Sequence, residues 1–391
     1  MNRIAADLPL AGLTVVDLTR VLAGPYCTMM LADLGARVIK IENPEGGDDS
    51  RHVGPFVDGE SAYFASVNRN KESIALDLKS PRDREVLAAM IAGADVLVEN
   101  FRAGVMEKLG FTWEALHAAN PRLVYASISG FGQTGPYRDR PAYDMVVQAM
   151  GGLMSVTGQT GGAPVRVGVS IGDLGAGLYA VIGIQSALLK RSRTGLGERV
   201  DIGMLDCQVA LLENAIARHS ATGAVPAPLG TRHPSITPFD MFKTADGFIV
   251  IAAGNDTLFQ KLCAALGQPD LAADPRFATV VARNQHHAEL KASLEARLAD
   301  ADSAAWSDTL ERAGVPHGPL QSVADIVEDP HVQARGMLLQ ASIGEGRPIT
   351  LAGNPIKIGN QAGARSFQRS PRLDEHRARL LEEFGQHASV G

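Results

Sequence analysis

Strand-like and helix-like stretches alternate through the first two hundred residues of this 391-residue chain. Short apolar runs at 13–17, 36–41, 95–99 and 123–127 are typical of buried strands, and helical stretches lie between them. Such alternation indicates a parallel β-sheet covered by helices. The sequence therefore predicts an α/β fold with a Rossmann-like open parallel sheet flanked by helices.

Changes in composition divide the chain into four segments. Residues 1–220 are predicted to form the large α/β domain, and the Gly- and Pro-rich residues 221–238 a linker. Residues 239–320 begin with two strands around an Asp246-Gly247 turn and continue into amphipathic helices, which predicts a smaller α+β domain. Residues 321–391, irregular and containing several prolines, are expected to return to the large domain.

Charge and cysteine content argue against several classes of protein. A net charge of −6 without a long basic block disfavours nucleic-acid binding. Cys27, Cys207 and Cys263 lie far apart in apolar contexts, so we expect buried free thiols and no metal site. The first residues lack the apolar core of a signal peptide, and we expect no membrane span. These features predict a cytoplasmic protein.

One carboxylate, Asp173, lies in the glycine-rich stretch 168–177 at the start of an apolar segment. The apolar run 178–189 predicts a buried helix with Asp173 in its first turn, where the helix dipole favours an ionised carboxylate. Two interpretations follow. Either Asp173 is functional and the glycines let another molecule approach, or Asp173 is a helix N-cap and the glycines allow tight helix packing.

Four polar loops are expected at one edge of the predicted sheet. They are residues 19–25, 42–48, 99–102 and 127–133, each beside the end of a predicted strand. In open α/β sheets, ligands bind beyond the carboxyl ends of the strands, so the loops predict one shared crevice. No predicted strand–helix junction carries a dinucleotide fingerprint or a nucleophile elbow, and no P-loop is present. A nicotinamide enzyme, an α/β-hydrolase and a P-loop nucleotidase are therefore disfavoured.

Ordered stretches along essentially the whole chain share the pattern of one family. They are residues 16–25, 34–42, 68–79, 95–102, 129–136, the segment around Asp173, 233–247, 313–316 and 329–330. With these stretches the chain resembles the class III coenzyme A transferases of CaiB/BaiF type. That family includes formyl-CoA transferase and the α-methylacyl-CoA racemases. The chain is most similar to the succinyl-CoA:dicarboxylate CoA-transferases.

The resemblance implies that Asp173 is the nucleophile. Its carboxylate would attack an acyl-CoA thioester, form an aspartyl anhydride and release CoA thiolate. The thiolate would then attack Asp173 to give an aspartyl-CoA thioester, from which an acceptor acid collects the CoA. Such covalent catalysis divides one difficult exchange into easier steps. No tightly bound cofactor is implied, since CoA and acyl-CoA are substrates.

The resemblance also assigns CoA contacts to the predicted crevice. These contacts are Leu22, Ala23, Leu76, Lys79, Asn100, Phe101, Arg102 and Lys108. Lys108 replaces a family Arg, which keeps the charge but loses bidentate geometry. A family cation is replaced by Asn43. As alternatives, Arg102 and Lys108 are solvated surface charges and Asn100 is a helix cap.

Tyr143 distinguishes two reactions within the family. The racemases carry a His at this position, and a phenol with an unperturbed pKa near 10 is a poor proton shuttle at neutral pH. Transfer is therefore favoured over the alternative, an acyl-CoA racemase or epimerase. Tyr143 either hydrogen-bonds the substrate or packs on the following helix. Asp144 either holds a loop backbone or lines the site.

A dicarboxylic acid is the expected acceptor. Arg232 and His233 lie in a stretch that resembles a flexible site loop, and they could bind a second carboxylate. Succinate, glutarate and mesaconate are therefore favoured. The chain lacks the tetraglycine loop of formyl-CoA enzymes, which makes oxalate a less favoured acceptor.

The expected partner is a second copy of the chain. The resemblance implies an interlocked homodimer, although Gly- and Pro-rich connections at 221–238 and 314–360 would also fit ordinary linkers. We expect no nucleic-acid or membrane partner. A further alternative is a non-catalytic acyl-CoA-binding paralogue in which Asp173 is only a helix cap.

Overall fold

The computed structural model describes residues 8–343, 347–359 and 367–385, which divide into two compact units. The first unit contains the described residues of 8–154, 166–224 and 330–385, and the second contains 155–165 and 225–329. Residues 155–165 and 321–329 thus belong to the second unit. The sequence-based division assigns these two segments to the large domain and to the returning segment.

The described residues form thirteen strands. They are β1 (Thr14–Asp17), β2 (Arg37–Glu42), β3 (Phe56–Val57), β4 (Glu60–Ser61), β5 (Lys71–Ala75), β6 (Val96–Glu99), β7 (Val124–Ser129), β8 (Arg199–Gly203), β9 (Phe239–Lys243), β10 (Phe248–Ala252), β11 (His317–Pro319), β12 (Leu338–Ser342) and β13 (Pro348–Ala352).

The α-helices of the described ranges alternate with the strands of the first unit and dominate the second. They are α1 (Ala23–Asp33), α2 (Ala62–Asn68), α3 (Pro81–Ala92), α4 (Val105–Lys108), α5 (Trp113–Ala119), α6 (Asp144–Met150), α7 (Ile171–Thr194), α8 (Met204–Leu211), α9 (Asn214–Thr222), α10 (Asp256–Ala265), α11 (Asp270–Ala273), α12 (Val280–Gln285), α13 (His287–Leu298), α14 (Ser303–Ala313), α15 (Val323–Glu328), α16 (Pro330–Ala334) and α17 (Arg377–Phe384).

A six-stranded parallel sheet forms the centre of the first unit. Its strand order is β5-β2-β1-β6-β7-β8, and every neighbouring pair is parallel. The chain therefore starts in the middle, builds outward to β5, and crosses back to continue through β6. This is the Rossmann order, in which ligands bind where the strand order reverses, between β1 and β6. The predicted fold class is confirmed.

Alternating side chains bury both faces of this sheet. Val15 and Val96 belong to the core layer that contains α1 and α7, whereas Val16 and Leu97 belong to the layer that contains α3. Successive strand residues point to opposite faces, so near-continuous apolar strands are needed to fill both layers. Ser80 is the N-cap of α3, and its hydroxyl accepts a hydrogen bond from the Asp83 N–H.

The long helix α7 is only partly buried, contrary to the sequence-based expectation. Gly172, Ala176, Ala180 and Ile184 face the core, but Ile182 on the other side is 59% exposed. By length and composition alone α7 could cross a membrane, a test that core helices of soluble proteins also pass. Small residues on the buried side let α7 approach the sheet and α1 closely, while its outer side carries larger apolar side chains.

The second unit has its own antiparallel sheet and helical core. Strands β9 and β10 pair around the turn at Asp246 and Gly247, as predicted, and β11 pairs with β10. Helices α10, α13 and α14 close over this sheet and supply most of its buried apolar side chains. The predicted linker begins inside α9, which extends to Thr222.

The returning carboxyl-terminal segment covers the outer edge of β5. The Asp374 carboxylate accepts the Ala75 N–H at 2.8 Å, and the Arg377 guanidinium donates to the Ala75 carbonyl at 2.6 Å. The His376 N–H donates to the Ser73 carbonyl at 3.0 Å, and its ring Nδ1 accepts the Ser73 N–H at 3.1 Å. An edge strand otherwise exposes unpaired backbone groups. Here side chains and one loop take the place of a neighbouring strand.

Candidate active site

A cavity of about 490 Å³ opens at the carboxyl edge of the parallel sheet. Its walls follow β1, β2, β5 and β6, so the predicted convergence of the first three loops occurs in the fold. Leu76, Lys79 and Phe101, three of the predicted CoA contacts, line the cavity, as does Asn43. The cavity thus lies at the reversal of strand order, where the topology predicts a ligand.

A buried ion pair supports one wall of this cavity, because Asp48, a lining residue, pairs with Lys40 behind it. Lys40 is fully buried, with its ammonium 2.8 Å from Asp48 and donating to the Thr19 carbonyl at 2.7 Å. Asp48 also accepts the Val21 N–H at 3.0 Å. Burial alone would raise the pKa of Asp48, but Lys40 and the N–H donors outweigh burial and hold that pKa well below its usual range. These contacts fix the loop that follows β1.

A second buried cation, Lys71, holds the first turn of α1. Its ammonium donates to the Pro25 carbonyl at 3.1 Å and to the Thr28 hydroxyl at 2.8 Å, and pairs with Asp17 at 3.1 Å. Burial lowers the pKa of Lys71 to about 8, against the opposing effect of Asp17. The positions of Leu22 and Ala23, at the start of α1, are set by this network.

The loop after β6 carries the remaining predicted CoA contacts. The Asn100 amide donates to the Arg20 carbonyl at 2.8 Å and accepts the Arg20 N–H at 2.9 Å, so Asn100 joins two loops and does not cap a helix. The buried Glu99 accepts the Phe101 N–H at 2.7 Å, and burial raises the pKa of Glu99 to about 7.

The cations Arg102 and Lys108 are exposed near this loop. Within the described ranges neither forms an ion pair or a side-chain hydrogen bond. Both remain available to phosphate groups, although surface solvation explains them equally well.

Asp173 is the third residue of α7 and is largely removed from solvent. No hydrogen bond or ion pair to its carboxylate comes from the described residues. Burial, and then the negative charge of Asp144, raise its pKa to about 7. The interpretation of Asp173 as an N-cap is wrong, because Ser170 occupies that position. An unpaired carboxylate in this environment has the character of a reactive group.

Asp144 caps the amino terminus of α7 from another helix. It is the first residue of α6, and its Oδ1 accepts the Gly172 N–H at 2.8 Å. Its Oδ2 accepts a hydrogen bond from the Gln148 amide at 2.8 Å. Asp144 therefore holds backbone, one of the two roles considered for it, and also supplies the charge that faces Asp173.

The glycines around Asp173 serve close packing within the chain. A Cβ atom on Gly172 would lie 2.8 Å from the Asp144 carboxylate and from Val147, and one on Gly177 would lie 2.8 Å from the Ala23 carbonyl. These helical glycines therefore do not leave room for another molecule. Gly168, in the preceding loop, has open space where its side chain would be.

Two motif spacings occur outside their usual context. Gly130–Gly135 reads G-x-G-x-x-G after β7, but no helix begins before Asp144, as the dinucleotide fingerprint requires. Gly168–Gly172 reads G-x-S-x-G, but no strand precedes it, as a nucleophile elbow requires. Neither motif lies at the strand–helix junction that its function requires, so neither dinucleotide binding nor hydrolase chemistry is assigned to it.

Tyr143 is 77% exposed at the start of α6, so it does not pack on the following helix. A second phenol, Tyr63 on α2, is electrostatically coupled to Asp173 and was not predicted from the sequence. Burial raises the pKa of Tyr63, and the charges of Asp173 and Asp48 add to the effect. A tyrosine in a short helix has no sequence signature that would single it out.

Arg232 and His233 lie in the second unit. The Arg232 guanidinium donates to the Asn284 carbonyl and side chain at 3.1 and 2.8 Å, while its buried Nε finds no acceptor among the described residues. The His233 Nδ1 accepts the Ser235 N–H at 3.1 Å. Arg232 therefore keeps unused donor capacity, as a carboxylate-binding residue would need. Cys27, Cys207 and Cys263 are buried free thiols.

Comparisons with known proteins agree with this architecture. The sequence profile described as CoA-transferase family III matches residues 10–377. The chain is 48% identical to the acetyl-CoA:oxalate CoA-transferase of Acetobacter aceti, over 96% of both chains. It is 43% identical to the succinate–glutarate CoA-transferase of Agrobacterium fabrum, again over 96% of both.

A solved structure extends the agreement to three dimensions. The crystal structure of a CaiB/BaiF family protein from Brucella suis superposes with a TM-score of 0.85. It is 43% identical and covers 96% of this chain and 99% of its own. The match of sequence and fold over nearly the full length shows that this chain belongs to CoA-transferase family III and is an enzyme of that family.

Proposed function

We propose that this enzyme transfers CoA from an acyl-CoA, succinyl-CoA or a similar thioester, to a dicarboxylic acid, with Asp173 as the nucleophile. The observation that carries the proposal is the state of Asp173. Asp173 is partly buried, accepts no hydrogen bond from the described residues, and lies in the first turn of a helix that packs beside the first turn of α1. A carboxylate with a pKa of about 7 is more basic than an ordinary aspartate, and basicity favours nucleophilic attack.

The reaction balances with the groups that this site provides. The Asp173 carboxylate attacks the thioester carbonyl and the C–S bond of the thioester breaks. The products of this step are an aspartyl anhydride and CoA thiolate. The thiolate attacks the aspartyl carbonyl, expels the donor acid as a carboxylate and leaves an aspartyl-CoA thioester. The acceptor carboxylate repeats these two steps in reverse. Asp173 is regenerated, and no proton, oxidant or metal ion is consumed.

The cavity at the sheet edge is proposed to hold the nucleotide part of CoA. Its apolar walls, Leu76 and Phe101, suit a base, while Lys79 offers a charge to phosphate. Leu22 and Ala23 offer backbone groups at the start of α1. Arg102 and Lys108 follow Phe101 in the chain and form no ion pair with any described residue. CoA is a substrate here and no resident cofactor is proposed.

The acceptor is proposed to be a dicarboxylate. The two curated relatives are named for oxalate and for succinate and glutarate, all of which are dicarboxylates. The missing tetraglycine loop makes oxalate a less favoured acceptor. Oxalate is nevertheless kept among the proposed acceptors, because the relative from Acetobacter aceti is named for it. Arg232 and His233 are proposed to bind the second carboxylate, since Arg232 retains donor capacity.

The enzyme is proposed to work as a homodimer. The outer side of α7 exposes Leu178, Ile182 and Leu189 by 42, 59 and 63%. Monomers rarely expose such contiguous apolar surface. A second copy of the chain is the proposed partner for this face.

The test is a search for the covalent intermediate. The protein is incubated with succinyl-CoA, quenched, digested and analysed by mass spectrometry, with hydroxylamine to trap the anhydride or thioester. We expect an adduct on the Asp173 peptide and none in Asp173→Asn, which should lose at least about 10³-fold in transfer rate while retaining CoA binding. Full transfer by Asp173→Asn would refute the mechanism.

Acetyl-CoA and other acyl-CoA donors are tested in the same assay, followed by a panel of oxalate, succinate, glutarate and mesaconate as acceptors. Exchange of the α-proton in deuterated water, without CoA transfer, would support the racemase alternative.

A further inference from the structure

A fully buried amide, Gln148, lies one helical turn after Asp144 on α6. Both ends of its side chain are used. Its Nε2 donates to Asp144 Oδ2 at 2.8 Å, and its Oε1 accepts the Val167 N–H at 3.0 Å. The geometry fits an amide and not an acid, because one end must donate and the other must accept.

These contacts continue into the start of α7. Asp144 Oδ1 accepts the Gly172 N–H at 2.8 Å, so the series of bonds runs from Val167 through Gln148 and Asp144 to Gly172. It holds both ends of the six-residue segment 167–172. Asp173 follows at once, and its own carboxylate has no hydrogen bond from the described residues. The backbone of this segment therefore determines where the carboxylate lies.

A second buried amide provides a comparison. Gln208 on α8 is also fully buried, but its Oε1 has no partner within residues 8–343, 347–359 and 367–385, and its Nε2 reaches the Ile171 carbonyl only at 3.5 Å. Of these two amides, Gln148 alone connects the loop, the capping carboxylate and the helix start through short hydrogen bonds.

We propose that Gln148 is a positioning residue for the transfer reaction: its amide holds segment 167–172 and thereby sets the attack position of Asp173. The proposal rests on the proposed function of Asp173. Gln148 touches no reacting atom and acts through Asp144 and the backbone. Loss of its amide leaves the Val167 N–H and an Asp144 oxygen buried without partners, a cost that the segment relieves by moving.

The first variant is Gln148→Met, which keeps length and volume but forms neither hydrogen bond. A misplacement of about 1 Å costs roughly 10²-fold in rate. We therefore expect kcat to fall about 10- to 100-fold, while KM for the acyl-CoA that labels Asp173 stays within about threefold. The yield of trapped Asp173 adduct at short times should fall with kcat.

The matched control is Asn120→Leu. Asn120 is also an amide that bridges backbone, donating to the Ala94 carbonyl at 2.8 Å and accepting the Arg122 N–H at 3.1 Å. Its removal should lower the melting temperature and leave kcat unchanged. If Gln148→Met keeps wild-type kcat, or if both variants lose activity in proportion to stability, the positioning role is overturned.

Gln148→Glu adds a second measurement, the pH dependence of kcat, which a purely structural role of Gln148 would not change. A glutamate can accept from Val167, but it donates to Asp144 only when protonated. The ratio of Gln148→Glu to wild-type kcat should therefore rise at least about tenfold between pH 8.5 and pH 6. A ratio independent of pH would overturn the proposal, even if Gln148→Met does not fold.

Asp173→Asn is assayed in parallel, so that the two hypotheses fail separately. Active Asp173→Asn refutes the nucleophile. Inactive Asp173→Asn with wild-type behaviour of the Gln148 variants refutes only the positioning role.

Discussion

At the scale of single residues, the site depends on two carboxylates with different tasks. Asp144 accepts hydrogen bonds from the Gly172 backbone and the Gln148 amide, whereas Asp173 accepts none from the part of the chain that the structure describes and carries the raised pKa. Glycine-rich surroundings singled out Asp173 in the sequence, but only the family resemblance predicted that it is the nucleophile, and that role stays a prediction. Holding backbone was one of two roles considered for Asp144, but its partner Gly172 was not predictable because it lies 28 residues away. Gln148 and Tyr63 have no local pattern that would distinguish them.

The charge of Asp144 predicts a pH dependence. Asp173 attacks only when ionised, so wild-type kcat/KM should rise as pH increases through about 7, its pKa in the free site. Asp144→Asn removes the charge that helps to raise this pKa, and the acid limb should move below pH 7. Pre-steady-state rates of adduct formation from pH 5 to 8.5 measure the acid limb of the wild-type protein and that of Asp144→Asn. An unchanged limb, with kcat reduced, would show that Asp144 acts only through its hydrogen bonds.

At the scale of secondary-structure elements, the positions of the strands were easier to predict than which side of each helix is buried. Apolar runs predicted the bounds of β1, β2, β6 and β7 to within one or two residues, because both sheet faces must be filled. Helix α7 was predicted in place but wrongly as buried all round. Composition does not reveal which side of an apolar helix meets its own sheet and which side awaits another surface. The glycine spacing did indicate close packing, which the contact between Gly177 and α1 explains.

The covered edge of β5 predicts a stability effect. Asp374→Ala with Arg377→Ala removes two hydrogen bonds to Ala75 and should lower the free energy of unfolding by about 1–3 kcal/mol. The urea midpoint measures the change. Arg372→Ala, in the same segment, removes an exposed pair with Glu60 and should cost less than about 0.5 kcal/mol. Equal effects of the two variants would show that the segment does not protect the edge through these contacts.

At the scale of the whole molecule, the chain leaves its first unit twice and returns to it. Residues 155–165 belong to the second unit although both flanking segments belong to the first. The glycines and prolines that follow residue 221 predicted the second point at which the chain leaves its first unit. The first was not predicted, because eleven residues with ordinary loop composition give no boundary signal.

The exposed side of α7 predicts the oligomeric state. Ile182→Glu places a charge at the centre of the proposed homodimer face and should convert dimers to monomers with at least about a tenfold weaker association. Light scattering coupled to gel filtration measures the mass. Ala88→Glu adds the same charge to an exposed position of α3 and should remain dimeric. A dimeric Ile182→Glu protein would place the interface elsewhere.

The cover of β5 also sets an order of events during synthesis. Strand β5 ends at Ala75, but the groups that shield its edge lie between Asp374 and Arg377. About three hundred residues must therefore leave the ribosome before that edge is closed. At synthesis rates of roughly 5–20 residues per second, the edge stays open for about 15 to 60 seconds in each nascent chain. During this time the unpaired backbone groups of β5 are open to pairing with other strands, so the edge of a sheet that begins near the amino terminus is closed only by the end of the chain.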